Sequence, residues 1–511
     1  MTARFLPQRA RTRLMWGGFV GLAALLAFAG YLASKPNPAA SQQPTPQYPA
    51  WESPKLFTFP GDWNSIRATT VRTIYPAQAS WEWVTSPEHL GSASVQAGTP
   101  CATCHGNPLV GQSSVPGWAG PPADHKQSLG CQACHGVLRQ DIGEMGEELV
   151  EGEYGLENDP IEGKRPYVDV QVKAAYDADY LYLRFEWAAA RPGILLDLWR
   201  WNGQKWEAWG GPKPDAPKAG RTPSYEDRLT LLVGLNIPAQ DGARVGFSQA
   251  GCWVTCHSSL VKMPLEPTVE QIKADPYLGD KGLKKTEVLK YLLITRKETD
   301  AAGGWNKAKS REEIQRLLQL GQFLDMLMWR AARSGPLGYA DDFYVLDYRN
   351  ADKGKSMFSE NALKDGKPTY MYDASKVGFN AIPEARLEEL LTKSPLILGV
   401  TAVPFNPTAT FQIGDIISRR VLTTPDGSRA DILANSRWEN GKWVLEMRRK
   451  LNTGNPDDVT LEPGKVFTIG IAIHDDMVSN RRHHVSFPVT LGLGVPADIV
   501  AVPVAQRTSG G

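Results

Sequence analysis

The chain has 511 residues, with 56 Lys and Arg against 55 Asp and Glu for a net charge of +1. That balance gives no argument for a nucleic-acid partner or for any broad electrostatic one. At 42% hydrophobic and 22% charged, it is ordinary globular material, long enough for roughly two to four domains.

In chain order, Arg4, Arg9, Arg11 and Arg13 precede an apolar run from Leu14 to Ala33. About 20 apolar residues cross a bilayer as a helix, and arginines ahead of them hold the N-terminus inside. Residues 1–34 are therefore expected to be a single-pass anchor in the bacterial cytoplasmic membrane, with the bulk of the chain in the periplasm. "AFA" at Ala27–Ala29 offers the rival reading of a cleaved signal peptide, and either reading exports the protein. Residues 35–54 are rich in Pro, Ser and Gln and read as a tether.

Six cysteines follow in three close pairs, and each pair runs directly into a histidine. They are "CATCH" (Cys101, Cys104, His105), "CQACH" (Cys131, Cys134, His135) and "CWVTCH" (Cys252, Cys256, His257). Histidine fills only 8 of 511 positions, so three such adjacencies call for a chemical reason. Covalent haem supplies one: two thiols add to the two vinyl groups, and the adjacent imidazole reaches the iron. A zinc ribbon is the rival for the first two pairs, but zinc does not require His after both. The third motif carries one extra residue between its cysteines, which a wider turn accommodates; its rival is a disulfide or redox pair. Three haem c groups are expected, with His105, His135 and His257 as proximal ligands.

Residues 55–155 are poor in periodic apolar segments and rich in Gly, Pro and Ser, as expected of a small irregular diheme module that packs on its porphyrins. His89 and His125 are the histidines available there as distal ligands, with Met145 a lesser candidate and plain surface histidine the alternative for each.

From residue 160 to 505 the pattern changes to period two. Val168, Val170 and Val172 alternate with polar residues, and Leu181, Leu183 and Phe185 repeat this after "AYDADY". Asn202-Gly203 and Asn440-Gly441 sit between Trp-bearing runs and signal hairpins. "RLTLLVGLNI", "SPLILGVTAV", "VFTIGIAIHDD" and "RHHVSFPVTLGLG" add further strand-like runs, so the fold class is mainly β, an antiparallel sandwich. A helical insertion is expected over about 266–335. Ser310 and Glu313 form a capping box there, Ile314, Leu317, Leu324, Met328 and Ala331 share a face, and Gly335-Pro336 ends the helix. Asp341-Asp342 and Asp475-Asp476 read as turn acids that are solvated or ion-paired, with calcium as the alternative.

From about 160 onward the chain resembles the haem-binding domain of ethylbenzene dehydrogenase gamma subunits and related cytochromes. The resemblance rests on "YEDRLTLLVGLNI" leading into "GCWVTCH", on "DMLMWRAARSGPLGYADD", and on "IGIAIHDD" with "RRHHVSFPVTLGLG". It implies a β-sandwich holding one haem and acting beside a molybdenum enzyme of the dimethyl-sulfoxide-reductase type. It also places Met328 where many multihaem relatives carry a distal axial histidine. Core packing is the alternative for Met328, and His483, His484, His474 and Met263 are its rivals as ligand. The gamma subunits hold a non-covalent haem through Met and Lys. The Cys252/Cys256 loop, the anchor and the diheme module all depart from that pattern.

The expected function is single-electron transfer by an anchored triheme cytochrome c, between the quinone pool or a partner oxidoreductase and another carrier. The partner would be a redox protein such as a quinol-oxidising or molybdenum enzyme complex. The competing expectations are a haem enzyme with one open coordination position, or an electron-transfer subunit of a molybdenum oxidoreductase.

Overall fold

The computed structural model describes residues 48–75, 92–96, 109–110, 161–238, 240–241, 244–252, 255, 267–279, 292–297, 307–479 and 482–505. Fifteen strands form its main sheet. In chain order they are β1 (Trp51–Glu52), β2 (Thr69–Ile74), β3 (Leu109–Val110), β4 (Tyr167–Tyr176) and β5 (Tyr180–Ala188). Next come β6 (Arg228–Gly234), β7 (Leu324–Arg330), β8 (Asp341–Val345), β9 (Arg349–Ala351) and β10 (Ile432–Glu439). The last five are β11 (Lys442–Lys450), β12 (Val466–His474), β13 (His484–Val485), β14 (Val489–Leu493) and β15 (Ile499–Pro503).

One wing of the sheet runs β1-β10-β11-β5-β4 and the other β12-β6-β7-β8-β9. They join along one edge, through β2 and β13 at one end and through β14 and β15 at the other. The β14–β15 and β15–β4 pairs are parallel.

The wings close on a core of tryptophans. Trp329 of β7 meets Trp443 of β11 edge-on at 4.9 Å and Trp187 of β5 at 6.0 Å, and Trp51 of β1 lies 5.3 Å from Trp443. Two of their polar edges are satisfied inside: Trp329 Nε1 donates to Ser436 Oγ at 3.1 Å and Trp443 Nε1 to Asp227 Oδ2 at 2.7 Å, whereas Trp187 Nε1 is buried without a partner among the described residues. Val168, Val170, Val172, Leu181, Leu183 and Phe185 are all buried, as their alternation predicts. Both Asn-Gly hairpins form. Asn440 (φ 51°) and Gly441 (φ 75°) turn β10 into β11 with two left-handed residues, the geometry that matches strand twist.

Four expectations change. The expected helix covers only Arg311–Gln319, where Ser310 and Glu313 do form the capping box. Gly321 (φ 68°) turns the chain, and Leu324–Arg330 is a strand between β6 and β8 with every residue buried. A strand covered on both faces loses its period-two signature, so its apolar residues fit a helical period by accident. Secondly, the sandwich begins before residue 160, because β1 and β2 pair into it from ahead of the cysteine motifs. Thirdly, Asp341 and Asp342 are fully buried residues of β8 rather than turn acids. Of "SPLILGVTAV", only the last two residues enter a strand, Ala402–Pro404. No helix among the described residues is long and apolar enough to cross a membrane. The run from Leu14 to Ala33 lies outside the described residues, and so does the expected diheme module of residues 55–155 apart from 55–75, which carry β2, and residues 92–96 and 109–110.

Candidate functional site

Of the motif residues, the structure describes Cys252. Cys101, Cys104, His105, Cys131, Cys134, His135, Cys256 and His257 lie outside the described residues, as do His89, His125, Met145 and Met263.

Cys252 is positioned by two glycines. The short helix Phe247–Ala250 stops at Gly251, whose N–H bonds Phe247 O at 2.8 Å and whose φ is +63°. A Cβ on Gly251 would lie 2.9 Å from Pro488 N, so only glycine lets the chain pass the backbone that links β13 to β14. Cys252 then packs onto Gly470 in the middle of β12, where an added Cβ would stand 2.6 Å from Sγ and 3.2 Å from the Phe247 ring. Thr255 Oγ1 reaches back to Gly251 O at 3.4 Å and ties the loop to its own start.

Strand register identifies the face on which this thiol rests. Alternation sends Asp325, Leu327 and Trp329 to one side of β7 and Leu324, Met326, Met328 and Arg330 to the other. Trp329 marks the first side as the sandwich interior. Gly470 stands opposite Leu232 and Leu232 opposite Met326; in the next row Ala472 stands opposite Thr230 and Thr230 opposite Met328. Residues directly opposite share a face, so Cys252, Met326 and Met328 all lie on the outer face of this wing. Two strand spacings put about 10 Å between the Gly470 and Met326 backbones. Met326 and Met328 are buried, and so is Thr230, whose Oγ1 makes no hydrogen bond among the described residues.

The histidines divide between the two faces. His474, at the end of β12, stacks on His483 with ring centroids 4.3 Å apart. It continues the outer face by alternation from Gly470. His484 pairs with Ile473 in register and so points inward. Its Nε2 lies 2.7 Å from Arg165 O, which leaves Nδ1 to accept from Lys164 Nζ at 3.3 Å. Burial, then the adjacent Lys164 charge, hold the His484 imidazole well below its usual pKa.

Arg165 anchors the Asp475-Asp476 turn, with its N–H on Asp476 Oδ2 at 2.9 Å, its Nε on Asp476 Oδ1 at 3.2 Å and its Nη2 on Asp475. Burial pushes Lys164 down to about 8 against the pull of Asp476 and Asp475. Burial, reinforced by Asp476, pushes Asp475 up to about 6. On the outer face, Arg330 Nε donates to Asp341 Oδ2 at 2.8 Å, an ion pair buried beside the methionine rows.

The described part of the site thus offers a porphyrin a thiol seated on a glycine, an apolar floor, and thioethers on the floor's far side. That donor set, a thiol with thioethers on the same buried face, fits a covalently held haem. The sequence reading missed Gly251, Gly470, Met326 and Thr230. A lone glycine inside "VFTIGIAIHDD" was the available signal, since glycine within a strand marks a close approach.

Comparison with known proteins agrees in extent with this architecture. The protein-family model described as "Ethylbenzene dehydrogenase" matches residues 62–486, from just before β2 to just after β13. A protein named cytochrome c-552, from Stutzerimonas stutzeri, is 23% identical over 444 residues, covering 86% of this chain and 90% of that one. With the match spanning both wings of the sheet, the chain belongs to the ethylbenzene dehydrogenase family.

Proposed function

We propose that this protein is an exported, membrane-anchored triheme cytochrome c that passes single electrons between the quinone pool or a partner oxidoreductase and another carrier. The observation that carries the reading is the seat of Cys252 on Gly470, facing the same buried surface as Met326 and Met328. The "CATCH" and "CQACH" motifs and the name of the Stutzerimonas relative support it from outside that site.

In this reading Cys252 and Cys256 hold the third haem, His257 is its proximal ligand and Met328 its distal one. Cys101, Cys104, Cys131 and Cys134 hold the first two haems, with His105 and His135 proximal and His89 and His125 distal. A bound haem c supplies a one-electron ferric/ferrous couple. The protein sets that couple's potential. A thioether at Met328 raises it relative to a second imidazole, and the buried floor of Met326, Leu232 and Phe247 keeps water away. Two imidazole-ligated haems and one more oxidising haem in the sandwich form a relay. The family match favours a second form of the same reading, in which the chain is the electron-transfer subunit of a molybdenum oxidoreductase complex.

Low-temperature EPR of the oxidised protein tests carrier against catalyst. Low-spin ferric signals alone, unchanged by cyanide, are the expected result. A high-spin signal that shifts on adding cyanide reveals an open coordination position and replaces the carrier with a haem enzyme. Release of the protein from membranes by salt, without detergent, would remove the anchor from the proposal.

A further inference from the structure

Beneath the strand that carries Met328, on its interior face, five aspartates converge. Asp325 comes from β7, Asp342 from β8, Asp352 from just past β9, and Asp457 and Asp458 from the loop after β11. Carboxylate oxygens of Asp325, Asp342 and Asp458 lie within 4.8 Å of one another, and so do those of Asp352, Asp457 and Asp458. All five residues are buried, with Asp325 and Asp342 at 0% exposure.

Arg449 of β11 answers part of this charge. Its Nη2 is 2.6 Å from Asp325 Oδ2 and 3.2 Å from Asp458 Oδ1, and its Nη1 donates to Val459 O at 2.9 Å. Asp325 Oδ2 also accepts from Val459 N at 3.0 Å. The far side of the cluster has no such answer. Among the described residues, neither oxygen of Asp342 makes a hydrogen bond, and the same holds for Asp325 Oδ1 and Asp352 Oδ1. A buried carboxylate without a partner costs several kcal/mol, so something compensates this group.

Protons are the first possibility. Burial, then Asp325 and Asp458 nearby, push the Asp342 carboxyl well above its usual range, and burial pushes Asp325 up to about 7 and Asp352 up to about 8. A proton on Asp342 serves a single carboxylate pair and leaves the remaining bare oxygens unanswered. A cation satisfies all the bare oxygens at once.

The donor chemistry selects the ion. Every candidate ligand is a carboxylate oxygen, with no imidazole or thiolate, which excludes the softer transition metals. Magnesium keeps much of its water and rarely takes an all-protein cage, whereas calcium accepts six to eight oxygens in flexible geometry. We infer that Asp325, Asp342, Asp352, Asp457 and Asp458 form a structural calcium site that pins β7, β8 and β9 to the loop after β11. The inference does not depend on the haem reading, because the cluster lies on the opposite face of β7 from Met328.

The test uses the purified full-length haem-containing protein. After dialysis in calcium-free buffer without chelator, elemental analysis should find about one calcium per chain in addition to iron. EGTA should lower the melting temperature by roughly 5 °C, and excess calcium, but not magnesium, should restore it. Asp342→Asn keeps the shape of the side chain and should lose the calcium and the EGTA response, while the haem absorbance shows whether it has folded. If that variant does not fold, the wild-type metal content and chelator response still decide. Dialysed wild type that holds no calcium and melts identically in EGTA and in excess calcium overturns the site, as does zinc in calcium's place.

Discussion

The two faces of β7 make opposite use of alternating residues. Outward, Met326 stands in a row that runs through Leu232 to Gly470 beneath Cys252, and Met328 in the next row, which runs through Thr230 to Ala472. Inward, Trp329 locks the two wings together, and four residues earlier Asp325 enters a buried acidic cluster. One seven-residue strand therefore supplies packing and charge to the fold on one side and thioethers to the candidate haem surface on the other. The difference teaches that burial alone does not separate structural residues from functional ones here, since every residue of β7 is buried. What separates them is the face, and the face follows from register.

Substitutions on the two faces should therefore fail differently. The largest effect is expected from Trp443→Ala, which empties the aromatic core and leaves Asp227 Oδ2 without its indole donor. A loss of about 3–5 kcal/mol in denaturant unfolding is expected, with haem content unchanged in whatever folds. Gly470→Ala comes next. Its Cβ would stand 2.6 Å from Cys252 Sγ, so overpacking of about 1–3 kcal/mol should be accompanied by loss of the third haem and retention of the other two. Haem content equal to wild type would separate Cys252 from the attachment scheme.

A smaller stability change, below about 1.5 kcal/mol, is expected for Met328→Leu, which keeps volume and removes sulfur. Its signature is spectroscopic: the sulfur-to-iron charge-transfer band in the far red should vanish and the third potential should fall. An intact band would hand the distal position to Met326 or to the His474–His483 pair. The last effect is a pH dependence and concerns Lys164. The folded protein releases its proton at about 8 against 10.5 for the ordinary side chain. The unfolded chain thus binds more protons between those values, and stability rises with pH across that window. Thermal melts from pH 8 to 10.5 should show this rise in wild type relative to Lys164→Met, and parallel curves would contradict it.

Much of the sandwich was legible because its strands are half-buried. Val168, Val170 and Val172 alternate in sequence as they do in space, and Asn440-Gly441 marks its own turn. The β7 segment was not legible as a strand, since a strand covered on both faces shows no alternation and "FLDMLMWR" also fits a helical stripe. The reading that made Met328 a ligand candidate survives that change of secondary structure, because its support was the resemblance rather than the period. The thiols were plain from spacing, but their seat was not: Gly470 lies 218 residues from Cys252, and only strand pairing brings the two together. The acidic cluster was hidden for the same reason. Its members come from β7, β8, the residue just past β9 and a loop more than 100 residues later, and the local signs were a single Asp325 inside an apolar run and the Asp341-Asp342 pair, for which calcium was one alternative.

The account's central claim is that the irregular Cys252/Cys256 motif holds a haem in the sandwich as surely as the two regular motifs hold theirs. A pyridine haemochrome assay against protein concentration tests it most directly. Wild type should give about three haems c per chain and the Cys252→Ala/Cys256→Ala variant about two. A wild-type value of two, unchanged in the variant, would contradict it.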